Sequence, residues 1–229
     1  MSQESHKNPV IPDRLNIGCG YDKREGYLNV DMEPACEPDL LVTPDDDSAI
    51  PRGHFVEVHA RDVLEHIPRS KTLEALLNWS DYLVDGGRLN LQTSNVEGVI
   101  DMMRANPVFD HQFGMTICLF GNQTQDGDFH FTGFTELTLR VHLLAAGFEI
   151  DSMETVDGWL LKATARKVED WTASLGADDL VGAGFQAAFG RDPDPHNRVV
   201  LSGVAPKDAL RSIWSSPERL YVTARKHGL

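Results

Sequence analysis

The chain is poor in cysteine. Cys19, Cys36 and Cys118 are its only thiols, an odd number without paired spacing, which argues against both a disulfide framework and a cysteine-based zinc site. They read as reduced thiols of a cytoplasmic protein. Positive charge is also short: 21 Lys and Arg stand against 35 Asp and Glu, for a net charge of −14. Nucleic acid is thereby excluded as a partner, since binding a polyanion depends on clustered cations that release its counterions. No apolar run approaches the roughly twenty residues of a bilayer-spanning helix, and residues 1–9 have no apolar centre like that of a signal peptide. The cytoplasm is the expected location, with no membrane span.

A third glycine is missing too. Leu15-Asn-Ile-Gly-Cys-Gly20 opens like a dinucleotide turn, but Tyr21 and Asp22 follow, and the G-x-G-x-x-G needed to seat a pyrophosphate is incomplete. Asp22 would repel a pyrophosphate and tolerate the zwitterionic tail of S-adenosylmethionine. A short loop then leads into Tyr27-Leu-Asn-Val-Asp31, an apolar strand ending on a carboxylate. A glycine turn admits a ligand close to the backbone, and an acid ending the next strand can accept both ribose hydroxyls. An adenosine-containing cofactor is expected.

Short apolar runs at 15–17, 28–30, 39–42 and 55–58, separated by Gly, Pro and Asp, have the look of buried parallel strands. Leu73, Leu76, Leu77, Leu83 and Val84 follow helical spacing, and Asp85-Gly86-Gly87 turns the chain into a strand at 88–93. A second helix at 135–146 is capped by Gly147, ahead of strands at about 148–153 and 159–165. The alternation predicts an α/β fold, a doubly wound, mostly parallel sheet with helices on both faces. Residues 95–134 contain one evident helix, 96–104, and otherwise loop chemistry rich in phenylalanine. This stretch is expected to be an inserted substrate cap. The expected division is a domain at 1–170 and a helical C-terminal extension at 171–229.

Taken with Leu15–Gly20 and Tyr27–Asp31, the segments Val63-Leu-Glu-His-Ile67 and Val84-Asp-Gly-Gly-Arg-Leu89 resemble the class I S-adenosylmethionine-dependent methyltransferases. The likeness is strongest to a bacterial branch carrying "LNIGCG", "GYLNVD", "LEHI" and "GGRL", often encoded near surface-sugar genes. It covers about residues 14–166 and implies a seven-stranded Rossmann-like sheet. It also implies a cofactor site at Asn16, Gly18, Cys19, Gly20, Asp31, Met32, Asp46 and Arg61, with "LEHI" at the active-site mouth. Asn16 departs from the acid usual in the wider superfamily. The acid that meets the adenine amine is open among Asp45, Asp46 and Asp47. Residues 178–222, with Gly190-Arg-Asp-Pro-Asp-Pro195 and Ser216-Pro-Glu218, resemble a small helical bacterial domain of unknown function found beside glycosyltransferases. An ordinary helix ended by Gly190 is the alternative.

Methyl transfer from a sulfonium is an in-line displacement that needs alignment, and a base when the nucleophile is a hydroxyl. Asp126-Gly-Asp-Phe-His130 would, if extended, point two carboxylates and an imidazole the same way. His130 then serves as a general base, or Asp126 and Asp128 join it in holding Mg²⁺. His66 and Asp62 are further catalytic candidates. His59 and Glu57 suit strand-end hydrogen bonding, His111 has no evident partner, and His142 suits a helix boundary. The expected function is O-methylation of a sugar hydroxyl in a glycan or glycolipid precursor, by an enzyme that meets a small-molecule or oligosaccharide acceptor. Alternatives are an N- or small-metabolite methyltransferase and an inactive cofactor-binding partner subunit. A homodimer is also among the expectations.

Overall fold

A computed structural model describes residues 11–43, 46–124 and 126–229. Its strands are β1 (Arg14–Ile17), β2 (Leu28–Asp31), β3 (Leu40–Leu41), β4 (Phe55–Arg61), β5 (Leu83–Ser94), β6 (Phe148–Val156) and β7 (Leu160–Lys167). They form one seven-stranded sheet in the order β3-β2-β1-β4-β5-β7-β6. β7 runs antiparallel to both β5 and β6, and the remaining pairs are parallel. From β1 the chain first winds outward through β2 and β3, then crosses to β4 on the other side. That reversal opens a crevice at the carboxyl ends of β1 and β4.

The helices are α1 (Thr72–Tyr82), α2 (Val96–Ala105), α3 (Phe109–Phe120), α4 (Glu136–Ala145), α5 (Leu180–Phe189), α6 (Pro195–Ser202), α7 (Pro206–Trp214) and α8 (Pro217–Lys226). Local chemistry sets several of their ends. Asn95 caps α2 by accepting from the Glu97 amide, Thr135 and Thr138 cap α4 reciprocally, and Gly190 ends α5 at a left-handed φ of 67°.

The sheet is two-sided in chemistry. On one face Leu15, Val58, Ala60, Leu89, Leu91, Leu161, Ala163 and Ala165 join the apolar residues of α1, α4, α5 and α7 in one core. On the other face, register aligns Arg14 with Glu57 and Arg88, Asn16 with His59 and Asn90, and Arg61 with Gln92 and Lys162. Among the described residues no α-helix connects β1 to β2, β2 to β3 or β3 to β4. The loop at 18–27 lies over this polar face instead, through Tyr27 Oη donating to Glu57 and an Arg61–Asp22 contact of 3.5 Å. From Glu57 onward β4 alternates, with Val58 and Ala60 buried and Glu57, His59 and Arg61 less so, as in a strand with its apolar core on one side only.

The C-terminal helices pack on the helical layer, α7 against α1 and α8 against α4. Trp171, 1% exposed, donates Nε1–H to Leu77 O, and the guanidinium of Arg219 donates to Ala145 O, Ala188 O and Glu169. No described helix is long and apolar enough to cross a membrane.

Candidate active site

β1 ends at Ile17 and the chain turns through Gly18 and Gly20, whose φ angles are +59° and +48°. Both are positions that favour glycine. At Gly18 a Cβ would also lie 2.5 Å from Val63 Cγ2, whereas nothing stands within 4 Å of the same position at Gly20. The turn is therefore packed on one side and open on the other. Gly20 donates its amide to Asp31 Oδ2 (2.7 Å), and Glu33 donates to Asp31 Oδ1 (2.9 Å). Asp31 thus stands at the carboxyl end of β2 with both oxygens oriented, and each keeps lone-pair capacity for another donor. These residues fit an adenosine-containing cofactor: an open backbone turn next to an oriented carboxylate.

Cys19 is buried between the glycines and donates its amide to Val30 O at 3.0 Å. Burial, reinforced by the charge of Asp31, pushes its thiol up to about 11 and keeps it protonated. Asn16 lies on β1 two residues before Gly18. Its amide donates to Asp22 O and Asn29 Oδ1, both at 3.0 Å, so it ties the 18–27 loop to the sheet. Arg61 lies between Asp22 (3.5 Å) and Asp62 (3.4 Å), and Met32 is exposed just past Asp31. Asp45 lies outside the described residues. Asp47 is engaged by Arg52 and Tyr82, both at 2.5 Å. Asp46 is exposed, and hydrogen bonds from the Ser48 hydroxyl and amide hold its carboxyl below the usual range.

β4 delivers the chain to Asp62, which adopts a left-handed φ of 54° and accepts from Gln92 Nε2 of β5 at 3.0 and 3.1 Å. The turn seats Val63 against Gly18 and starts a single 3-10 turn, Leu64–His66. Beside it opens a cavity of about 270 Å³ lined by Asp62, Glu65, His66, Asp128, His130 and Trp159, among others. His66 and His130 meet there edge to face, with ring centroids 4.7 Å apart. His66 Nδ1 lies 3.0 Å from Phe129 O and His130 Nδ1 3.1 Å from Cys118 O. A carbonyl only accepts, so the partners assign the hydrogen to Nδ1 and leave Nε2 of each neutral ring as a base. Burial, and then the neighbouring His66, hold the pKa of His130 below the usual imidazole value.

Glu65 is a site residue that sequence reasoning passed over. It is 2% exposed, accepts from Thr93 Oγ1 at 2.9 Å, and burial pushes its carboxyl up to about 7. Its only signal was a carboxylate between Leu64 and His66 in the "LEHI" segment. Trp159 and Ser94 had none, since the β6–β7 turn and the end of β5 reach the cavity only through the sheet. His111, without an evident partner in the sequence, hydrogen-bonds through Nε2 to Met102 O at 3.2 Å.

The backbone that carries the expected Mg²⁺ ligands differs from expectation. Asp126–Asp128 is a 3-10 turn and not the extended segment expected. The Asp128 carboxylate accepts from Thr124 Oγ1, and the Asp126 side chain lies outside what the structure describes. Among the described residues no group of three His, Cys, Asp or Glu could hold a metal ion.

No protein-family model and no curated protein sequence matches the chain. Among solved structures it is similar to 1,6-didemethyltoxoflavin-N1-methyltransferase of Burkholderia thailandensis, solved with 1,6-didemethyltoxoflavin and S-adenosylhomocysteine. The identity is 17% over 68% of this chain and 71% of that one, at a TM-score of 0.47. It is similar to an S-adenosylmethionine-dependent methyltransferase of Methanosarcina mazei, at 20% identity over 68% and 92% of the two chains and a TM-score of 0.49. A third likeness, to an S-adenosylmethionine-dependent methyltransferase of Mesorhizobium loti, has 17% identity over 67% and 89% and a TM-score of 0.47.

Proposed function

We propose that the chain transfers a methyl group from S-adenosylmethionine to an acceptor hydroxyl, with His130 as general base. When bound, the cofactor supplies an electrophilic methyl on a sulfonium. Gly18 and Gly20 would admit its methionine portion, Asp31 would accept from the ribose hydroxyls, and Asp46 is the candidate for the adenine amine. One observation carries this reading: Gly18 packs against Val63, flanked in sequence by Asp62 and two residues short of Glu65, both of which line the cavity. The cofactor turn and the acceptor cavity are thereby neighbours, as an in-line transfer demands.

His130 Nε2 would take the hydroxyl proton as the oxygen attacks, and the depressed pKa keeps the ring neutral and ready at pH 7. A neutral sugar hydroxyl of a glycan or glycolipid precursor suits the cavity, because among the described residues no Lys or Arg lines it to meet a phosphate or carboxylate. A second reading rests on the same lining. Asp62, Glu65 and Asp128 would equally suit an amine, making the enzyme an N-methyltransferase. We assign residues 1–170 to the methyltransferase domain and 171–229 to an extension that supports α1 and α4. Transfer of labelled methyl to a panel of neutral glycosides and amines, by the parent and by His130→Ala, tests the proposal. Glycoside methylation that depends on His130 supports it. Failure to bind S-adenosylhomocysteine overturns it.

A further inference from the structure

α3 turns an apolar stripe to solvent, while Met115, Cys118 and Leu119 on its other side are half-buried. Phe109, Phe113, Ile117 and Phe120 share about 80° of arc at the helical repeat, yet they are 76, 59, 36 and 55% exposed. Phe109 and Phe113 stack with centroids 5.8 Å apart, and no residue of α3 is buried. Polar groups hold the helix in place instead: His111 bonds to Met102 O and Gln112 Nε2 donates to Met103 O, at 3.2 and 3.1 Å. An exposed aromatic stripe on a helix held by its hydrogen-bonding side marks a binding surface.

The stripe is continuous with the cavity. Ile117 belongs to both, its neighbour Cys118 also lines the cavity, and Cys118 O fixes Nδ1 of His130. From Phe109 to Ile117 the stripe runs about 12 Å along the helix axis. Whatever covers it also stands at the cavity mouth. A second copy of the chain there would obstruct the acceptor, and an anionic bilayer is disfavoured by a net charge of −14 and by a helix with no Lys or Arg. A tail on the acceptor itself meets neither objection.

We propose that the acceptor is a single amphiphilic molecule, its uncharged hydroxyl-bearing head in the cavity and its apolar tail along Phe109, Phe113 and Ile117. The proposal rests on the methyl-transfer reading of the cavity, but binding alone tests it. Methyl, hexyl, octyl and decyl β-glucosides, below their micelle concentrations, are titrated into the full-length chain and followed by tryptophan fluorescence, for which Trp159 in the cavity wall is a reporter. Affinity should rise about fourfold for each methylene that reaches and is buried on the stripe. Phe109→Ser with Phe113→Ser should flatten that dependence, leave methyl glucoside binding unchanged and leave thermal unfolding unchanged, whereas Val199→Ser on exposed α6 should keep the dependence intact.

Affinity independent of chain length, or a dependence that survives in the double variant, overturns the proposal. So does a concentration-dependent dimer that the double variant abolishes, since the face would then belong to a second copy. Co-sedimentation with phosphatidylcholine vesicles that ignores added glucoside would give the stripe to a bilayer and overturn it likewise. Length-dependent binding without any methyl transfer removes the methyltransferase reading alone. Methyl transfer to glucosides with no length dependence removes the amphiphile alone.

Discussion

The rings of His66 and His130 meet edge to face at 4.7 Å, each fixed through Nδ1 to a backbone carbonyl, His66 to Phe129 O and His130 to Cys118 O. The 3-10 turn after β4 and the loop before α4 are thereby clasped at the cavity. Phe131 and Thr132 reinforce the clasp by donating their amides to Glu65 O at 2.8 and 3.1 Å.

His130→Ala should lower turnover on a hydroxyl acceptor by about 10²–10⁴ while S-adenosylhomocysteine affinity stays within twofold, roughly the range for loss of a positioned base. Because the base must be neutral, the rate should fall as pH drops through the lowered His130 pKa and level off above it. His66→Ala removes part of the cover and the neighbour that helps hold the His130 pKa down, so the acid limb should move to higher pH. An unmoved limb would show that His130 does not govern it.

Asp31→Ala should weaken S-adenosylhomocysteine binding by about 1–3 kcal/mol, the loss expected when hydroxyl donors are left without a charged acceptor. The variant should also unfold at lower temperature, because the Gly20 and Glu33 amides lose their partner. Asp31→Asn keeps one carbonyl oxygen and should recover part of the stability and little of the affinity. Calorimetric titration and thermal unfolding read the two separately.

The two glycines of the turn should respond differently. Gly18→Ala drives a Cβ into Val63 at a left-handed φ and should cost about 1–3 kcal/mol of stability, partly recovered by Val63→Ala. Gly20→Ala has room, so it should cost about 1 kcal/mol from backbone strain and lose cofactor affinity instead. Equal effects from the two on both readouts would remove the distinction between a packed and an open side.

Glu65 makes stability depend on pH. Its carboxyl is raised from 4.5 to about 7 in the folded chain, so the folded state holds the proton more tightly than the unfolded one. Its contribution is fully present below pH 4.5 and is lost as pH rises through about 7. The loss is on the order of 3 kcal/mol. Glu65→Gln cannot ionise, and should therefore flatten this part of the profile and gain stability relative to the parent at pH 8. Denaturant unfolding at pH 5 and pH 8 checks the sign.

Arg219→Ala should cost about 2–4 kcal/mol, because Ala145 O and Ala188 O would lose their buried donors. Arg219→Lys should not restore stability, since one ammonium cannot reproduce the planar fork that reaches both carbonyls and Glu169. Denaturant midpoints of the two variants, read against the parent, check this.

Much of the scaffold was legible from local pattern. Apolar runs bounded by Gly, Pro and Asp located β1, β2, β3 and β4, helical spacing located α1 and α4, and the Gly18–Gly20 turn with Asp31 marked the crevice, since each depends on residues close along the chain. α3 escaped notice because its apolar residues run round the helix, Phe109, Phe113, Ile117 and Phe120 exposed on one side and Met115, Cys118 and Leu119 half-buried on the other, so no single stripe stands out in the sequence. The polar face was written in the alternation of β4, but which connections would form helices depends on what each strand must cover. Glu65, Trp159 and the meeting of His66 with His130 belong to the tertiary structure alone. They arise where β4, β5, the β6–β7 turn and α3 converge, and burial there, not residue type, sets which carboxyl holds its proton and which imidazole stays neutral.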